Sequence, residues 1–165
     1  MPRRLTPRVA GTLLVAATLT GCLTQPAVAA TAVTDVPQAF AAHSGDSCRM
    51  GVAKGTIVWH LPPDGRTVDG NVTVVDRPVP DDPGPGCGDD GRYSILTMTA
   101  FVGTTQVDRQ VFAADNDSRE SRLRLTATRS IETVVVQVCR STRLPDPPVY
   151  CGIAQSYHSP VSQTG

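Results

Sequence analysis

The sequence predicts an all-β fold, an antiparallel β-sandwich of immunoglobulin-like or related type with about six or seven strands and two disulfides. From Cys48 onward, short segments rich in Val, Thr and Ile are separated by Gly, Pro, Asp and Asn, as expected of strands joined by turns. Apolar and polar residues alternate within these segments, whereas helical spacing does not recur over a comparable length. Two apolar sheet faces would then have to be buried, which favours a sandwich of two sheets over a parallel α/β fold.

The individual strands follow from this alternation. Val68, Val72 and Val74 share one face of a segment, and Leu123 and Leu125 alternate with arginines in a later one. Turn residues separate the segments at 62–65, 103–104 and 115–118. The predicted strands are 53–60, 67–76, 93–102, 105–113, 119–127 and 131–139, with a short segment near 150–155.

The first residues resemble an export signal. Three arginines precede a short apolar run, Val9–Leu19, and Leu19-Thr20-Gly21-Cys22 resembles a bacterial lipoprotein lipobox. The run is about half of the roughly 20 residues that a membrane-spanning helix needs. The sequence predicts a signal peptide over 1–21 and a lipid on Cys22; the alternative is a general signal peptidase cut near 29–30. Either route predicts an exported protein, a cell-surface lipoprotein or a secreted one.

The exported part divides into three segments. Residues 22–47 are predicted to be a flexible leader, because the stretch from Thr31 to Asp46 is rich in Ala and Thr and shows no clear period. The β-sandwich domain is predicted over 48–158 and a tail over 159–165. The domain is long enough to bury a core of its own.

Four cysteines remain for the domain once Cys22 is assigned to the anchor: Cys48, Cys87, Cys139 and Cys151. Four cysteines allow three pairings. A hairpin of the first two strands would bring Cys48 close to the loop that contains Cys87, and Cys139–Cys151 would close a short loop. The competing immunoglobulin-like pairing joins Cys48 to Cys139 beside Trp59, but the tyrosine expected two residues before the second cysteine is missing.

Charge excludes one class of partner. Without its three signal-peptide arginines the chain has twelve Lys and Arg against fifteen Asp and Glu, a net charge of −3. Because binding to phosphate backbones requires a basic excess, a nucleic-acid partner is not expected.

Two surface clusters are candidate binding sites. Carboxylates around Cys87 could bind Ca²⁺ through oxygen ligands, although Asp and Gly also favour turns. Arginines in the segment 119–127, with Arg109 on a neighbouring strand, could form a patch for an anionic polymer or an acidic protein surface, or simply a solvated face. The calcium set is Asp81, Asp82, Asp89 and Asp90, and the arginine set is Arg119, Arg122 and Arg124.

The sequence offers no catalytic set. A Gly-x-Ser-x-Gly motif is absent, and the histidines His43, His60 and His158 are far apart in the chain. Among them, only His60 lies on a predicted strand, where we expect it to face solvent without a partner. The sequence therefore predicts a protein that is not an enzyme and that uses neither a cofactor nor a metal cluster.

The domain has four sequence features built from strand ends and cysteines: the segment Val72-Thr73-Val74-Val75-Asp76, a cysteine in the next loop, the Val-Gln-Val-Cys ending at Cys139 and the closing Tyr150-Cys151-Gly152. In these features the chain resembles small exported proteins of actinobacteria that have no established function. The resemblance spans about Cys48 to Gly152. It implies a disulfide-bonded β-domain and supplies no catalytic residues.

Two functions remain open. The first is a non-catalytic exported or surface-anchored module that binds an unidentified extracellular protein or envelope component, touching the membrane only through the lipid. The second is a secreted protease inhibitor, in which the disulfide-closed loop 140–150, stiffened by prolines, presents a rigid substrate mimic.

Overall fold

Nine strands and no helix make up the described part of this computed structural model, which covers residues 35–61, 65–79, 87–143 and 147–161. The strands are β1 (Val36–His43), β2 (Gly51–Trp59), β3 (Thr67–Asp76), β4 (Tyr93–Val102), β5 (Thr105–Ala114), β6 (Ser118–Thr126), β7 (Thr133–Ser141), β8 (Tyr150–Cys151) and β9 (Gln155–His158). No helix in these ranges is long and apolar enough to cross a bilayer.

The strands form two antiparallel sheets. The four-stranded sheet has the order β1-β2-β3-β6, and the five-stranded sheet has the order β5-β4-β7-β8 with β9 also pairing with β7. The all-β, antiparallel two-sheet prediction is confirmed. The bounds of β3 and β4 are those predicted, and the other long strands agree within two residues.

The core lies between the sheets, as the alternation predicted. Val68 and Leu125 from one sheet and Leu96 and Val136 from the other are almost fully buried. Trp59 is 1% exposed, and its Nε1 donates a hydrogen bond to Gln38 Oε1 at 3.0 Å. This bond satisfies the one polar atom that burial of the indole would otherwise leave unpaired.

The prediction of a flexible leader over 22–47 is wrong for its last part. Strand β1 lies there and pairs with β2 along its whole length, from Val36 opposite Trp59 to His43 opposite Val52. Its inward residues Phe40 and Ala42 belong to the core. The segment contains three alanines and a proline, residues with low strand propensity, so its order depends on the edge that β2 supplies. The domain therefore begins before Cys48.

The chain also continues in strands at its other end. The short strand predicted near 150–155 is replaced by β8 and β9, and β9 adds Tyr157 to the core through pairing with β7. Ser159, assigned to the tail, is buried and donates its backbone N–H to Glu132 O. Residues 162–165 lie outside the described ranges.

Both predicted disulfides form, Cys48–Cys87 and Cys139–Cys151, and the immunoglobulin-like pairing is wrong. The β2–β3 hairpin aligns Gly51 with Asp76, so Cys48 lies beside the chain that leaves β3. Cys139 and Cys151 are opposite each other in the β7–β8 ladder. Disulfides of this kind are typical of oxidising compartments. The predicted signal peptide and the predicted lipidation site Cys22 lie outside the described residues.

Candidate functional site

A line of four charged side chains crosses one end of the outer face of the four-stranded sheet. Register explains how they meet: Asp69 is opposite Arg124 across β3 and β6, and His60 follows directly after β2 on the same outer face. Asp35 directly precedes β1, beside His60. We call Asp35, His60, Asp69 and Arg124 the charged row.

Each member of the charged row contacts the next. His60 Nδ1 is 2.9 Å from Asp35 Oδ1, and His60 Nε2 is 2.9 Å from Asp69 Oδ2. Arg124 donates two hydrogen bonds to Asp69, from Nε to Oδ1 at 2.7 Å and from Nη2 to Oδ2 at 3.0 Å. This bidentate fork is the geometry that guanidinium and carboxylate favour. The side chains of His60 and Asp69 are 20% and 28% exposed.

The contacts set the charges of the row. Hydrogen bonds from Arg124 lower the pKa of Asp69 to about 2, so this carboxylate is ionised at neutral pH. The hydrogen bond with Asp69 raises the pKa of His60 above 6.5, because both carboxylates favour the imidazolium. In that form both ring nitrogens are donors, one for each carboxylate.

The expectation that His60 lacks a partner is wrong. The signal was present in the predicted hairpin: if 53–60 and 67–76 pair, residue 60 lies near residue 67, and Asp69 is its diagonal neighbour on the same face. Both nitrogens of His60 face carboxylates, so neither is available as a base toward a substrate. These contacts hold the four charges of the row in fixed positions on the outer face of the sheet.

The arginines of the predicted patch lie on different faces and sheets of the sandwich. Arg122 and Arg124 share the outer face of β6, but Arg119 is out of phase with them and lies opposite the buried Val74. Arg119 remains exposed and contacts Asp117 at 3.3 Å. Arg109 lies on β5, in the other sheet. The prediction that these arginines form a single patch is therefore wrong. Of the predicted set, only Arg122 and Arg124 lie on the same face.

Arg122 and the charged row border one depression of about 430 Å³. Across β3, Arg122 is opposite Asn71. Within the described ranges its guanidinium has no hydrogen-bond or ion-pair partner. The residues lining the depression are Asp35, Val58, His60, Asp69, Asn71, Arg122, Leu123 and Arg124.

Of the four residues in the predicted calcium set, the structure describes Asp89 and Asp90. Asp81 and Asp82 lie outside the described residues. Asp89 accepts the Gly91 backbone N–H and the Asn116 side-chain amide. Asp90 accepts the Arg92 N–H and a 2.5 Å bond from the buried Arg140. These carboxylates thus serve turns and an ion pair. In the described ranges no group of three or more His, Cys, Asp or Glu could hold a metal.

The proposed inhibitor loop is described only at its two ends, because residues 144–146 lie outside the described ranges. Ser141 Oγ donates to Arg143 O at 2.8 Å, and Val149 N–H donates to Arg140 O at 2.7 Å. Pro147 and Pro148 border a groove on the five-stranded sheet. Protease inhibition stays a prediction.

Searches of protein-family models, curated proteins and solved structures find no match to this chain. Its function must therefore be argued from the chemistry of its own surfaces.

Proposed function

We propose that this protein is an exported, non-catalytic β-sandwich module that binds an acidic partner, a protein surface or an anionic envelope polymer, through the outer face of its four-stranded sheet. One observation carries the proposal: Arg122 lies beside the charged row, exposed and without an ion-pair partner among the described residues.

The charged row supports this use of Arg122. Because Asp69 is committed to Arg124 and His60 by three hydrogen bonds, its carboxylate is not available to neutralise Arg122. Lys54 on β2 adds a second cation on the same face, unpaired in the described ranges; it is opposite Thr73 of β3, and Glu120 of β6 is opposite Thr73 on the other side. Guanidinium binds carboxylate and phosphate through a planar fork, and strands hold such groups more rigidly than loops do.

Export rests on the signal-like N-terminus and on the two disulfides. With Cys22 lipidated, the domain would be tethered at the cell surface, where acidic proteins and anionic polymers are its accessible partners. Without the lipid, the same domain would be secreted.

The experiment measures binding of the full chain to an oligoglutamate peptide and to polyphosphate by titration calorimetry at low and high salt. Arg122→Glu is compared with Arg49→Glu, a matched charge reversal at an exposed position between β1 and β2 that neither lines the depression nor lies on the five-stranded sheet. We expect Arg122→Glu to weaken binding about tenfold, since it replaces attraction with repulsion, and Arg49→Glu to leave it within about twofold. Binding should also weaken with salt. Equal affinities for the two variants would refute the proposal.

A further inference from the structure

A groove of about 690 Å³ runs along the outer face of the five-stranded sheet, on the side of the molecule opposite the charged row. Its floor is β4, one wall is β5, and the other combines β7 with Pro147 and Pro148, which precede β8. We call it the proline groove. It is lined by Ile95, Thr97, Thr99, Gln106, Arg109, Val111, Gln137, Cys139, Pro147, Pro148 and Cys151.

The register orders these residues along the groove. At one end Ile95 is opposite Cys139, whose disulfide lies beside the two prolines, so this end is apolar. At the other end Thr99 is opposite Arg109. Between them Thr97 lies between Val111 and Gln137, and Val111 is 51% exposed. The groove thus changes from apolar to polar to cationic along its length.

We propose that the proline groove binds an extended peptide segment that places a carboxylate beside Arg109 and an aliphatic side chain against Ile95 and the Cys139–Cys151 disulfide. This site is separate from the proposed acidic-partner face, and the two can succeed or fail independently.

Charge complementarity identifies the anionic end of the ligand. Among the described residues that line the groove, Arg109 is the only charged one, and its guanidinium has no partner in the part of the chain that the structure describes. The neighbouring Asp108 is already engaged, because its Oδ1 accepts the Arg109 backbone N–H and its Oδ2 accepts Thr126 N–H. A ligand carboxylate would therefore meet an uncompensated cation.

The polar middle of the groove favours a peptide over other long ligands. Thr97 and Thr99 offer hydroxyl groups that can pair with the N–H and C=O groups of an extended backbone. Gln137 Nε2 already donates to Gly152 O at 2.9 Å, so this side chain offers mainly its amide oxygen as an acceptor. An acyl chain would cover these groups without pairing them, at about 1–3 kcal/mol for each buried group left unsatisfied. The described residues of the groove lining also include no aromatic ring on which a sugar could stack.

Strand geometry sets the spacing of the two ligand ends. Thr99 and Ile95 are four residues apart on β4, which corresponds to about 13–14 Å along a strand. An extended peptide covers this length in four residue steps. The acidic and aliphatic side chains should therefore lie at the first and fifth positions of a pentapeptide, in one order or the other.

The test uses the full chain and acetylated, amidated pentapeptides with Ala-Thr-Ala at the three central positions. Positions one and five carry Leu and Glu in either order, and matched peptides carry Gln in place of Glu. We expect one Leu/Glu order to bind at least fivefold more tightly than its Gln counterpart. Arg109→Gln should abolish this preference, whereas Arg49→Gln, at an exposed position between β1 and β2 outside both proposed sites, should preserve it.

Three results would overturn the proposal: no binding of any pentapeptide at 1 mM, an unchanged Glu preference in Arg109→Gln, or competition by decanoate but by no peptide. A concentration-dependent dimer that excludes the peptides would instead assign this face to a second copy of the chain. Circular dichroism of Arg109→Gln controls for folding, and the exposed position of Arg109 makes a large structural effect unexpected.

Discussion

Arg140 and Asp76 form an ion pair between the two sheets, and neither side chain has any exposed surface. Asp76 ends β3 in the four-stranded sheet, and Arg140 lies on β7 in the other. Asp76 also accepts Ser94 Oγ–H at 2.6 Å and Asn116 N–H at 2.9 Å. The pair therefore joins the sheets at one end of the sandwich through polar contacts, beside an otherwise apolar core.

The first prediction concerns this ion pair. Asp76→Ala should lower the free energy of unfolding by about 3–5 kcal/mol, because it removes one of the two carboxylates that pair with the buried guanidinium and leaves Ser94 Oγ–H and Asn116 N–H without their acceptor. Urea denaturation measures the loss. The control is Arg119→Gln, which breaks the exposed contact with Asp117 and should cost less than about 1 kcal/mol. A loss below that level for Asp76→Ala would show that the buried pair contributes little.

The second prediction concerns the disulfides. Removing Cys48–Cys87 by double alanine substitution should cost about 4 kcal/mol, and removing Cys139–Cys151 about 3 kcal/mol, because the first closes the longer loop. The sequence separations are 39 and 12 residues. Thermal and urea denaturation curves show which of the two variants loses more stability. Non-reducing peptide maps that recover Cys48 linked to Cys139 would contradict the pairing itself.

The third prediction concerns Gly152, where β8 ends against the end of β1. A Cβ at this position would lie 1.8 Å from His43 O and 2.9 Å from the carbonyl carbon of the same residue. Gly152→Ala should therefore destabilise the protein by about 1–3 kcal/mol, the usual cost of overpacking. At Gly88 an added Cβ meets no atom within 4 Å, so Gly88→Ala should be neutral in the same urea assay. Equal stability of the two variants would mean that the ends of β1 and β8 separate easily.

The fourth prediction concerns pH. The raised pKa of His60 contributes stability that is complete below 6.5 and is lost as the pH rises through the folded-state value. The lowered pKa of Asp69 contributes stability that is complete above 3.8 and is lost as the pH falls toward about 2. His60→Gln should thus cost most near pH 5, about 1 kcal/mol, and little at pH 9.

Proton NMR titration provides the direct measurement for that fourth prediction. The His60 ring should titrate above 6.5 in the native chain and at lower pH in Asp69→Asn, where the partner of Nε2 is neutral. A His60 titration that is unchanged in Asp69→Asn would contradict the charged row.

The fifth prediction concerns the anchor. If Cys22 is lipidated, the native protein should partition into detergent, because each buried methylene of an acyl chain contributes about 0.8 kcal/mol. Cys22→Ala should release the protein into the medium. Sequencing of the mature N-terminus supplies the check, since a native secreted chain that begins near Ala30 would exclude lipidation.

The sequence alone was sufficient for the features that depend on local pattern. The period-two alternation of Val68, Val72 and Val74 gave β3 with its observed bounds, because side chains on successive strand residues face opposite sides of a sheet. The hairpin that follows from it predicted Cys48–Cys87, and the short loop between Cys139 and Cys151 predicted the second disulfide. The same alternation already placed Arg119 out of phase with Arg122 and Arg124.

Other features depend on neighbours that are distant in the chain. Strand β1 has a weak pattern of its own and is ordered along the edge of β2, and β9 is ordered along β7 in the same way. Only the tertiary structure decided these elements, because the free energy that orders them comes from pairing and burial at an existing sheet edge.

The polar contacts follow the same division. The hairpin was enough to bring His60 close to Asp69, but the meeting of Asp76 with Arg140, 64 residues later, depended on the stacking of the two sheets. A buried ion pair leaves no periodic signal in a sequence, since each residue alone resembles an exposed polar position at the end of a strand. Burial costs each charged side chain its hydration free energy. Only a charged partner that the packing of the two sheets brings into contact offsets this cost.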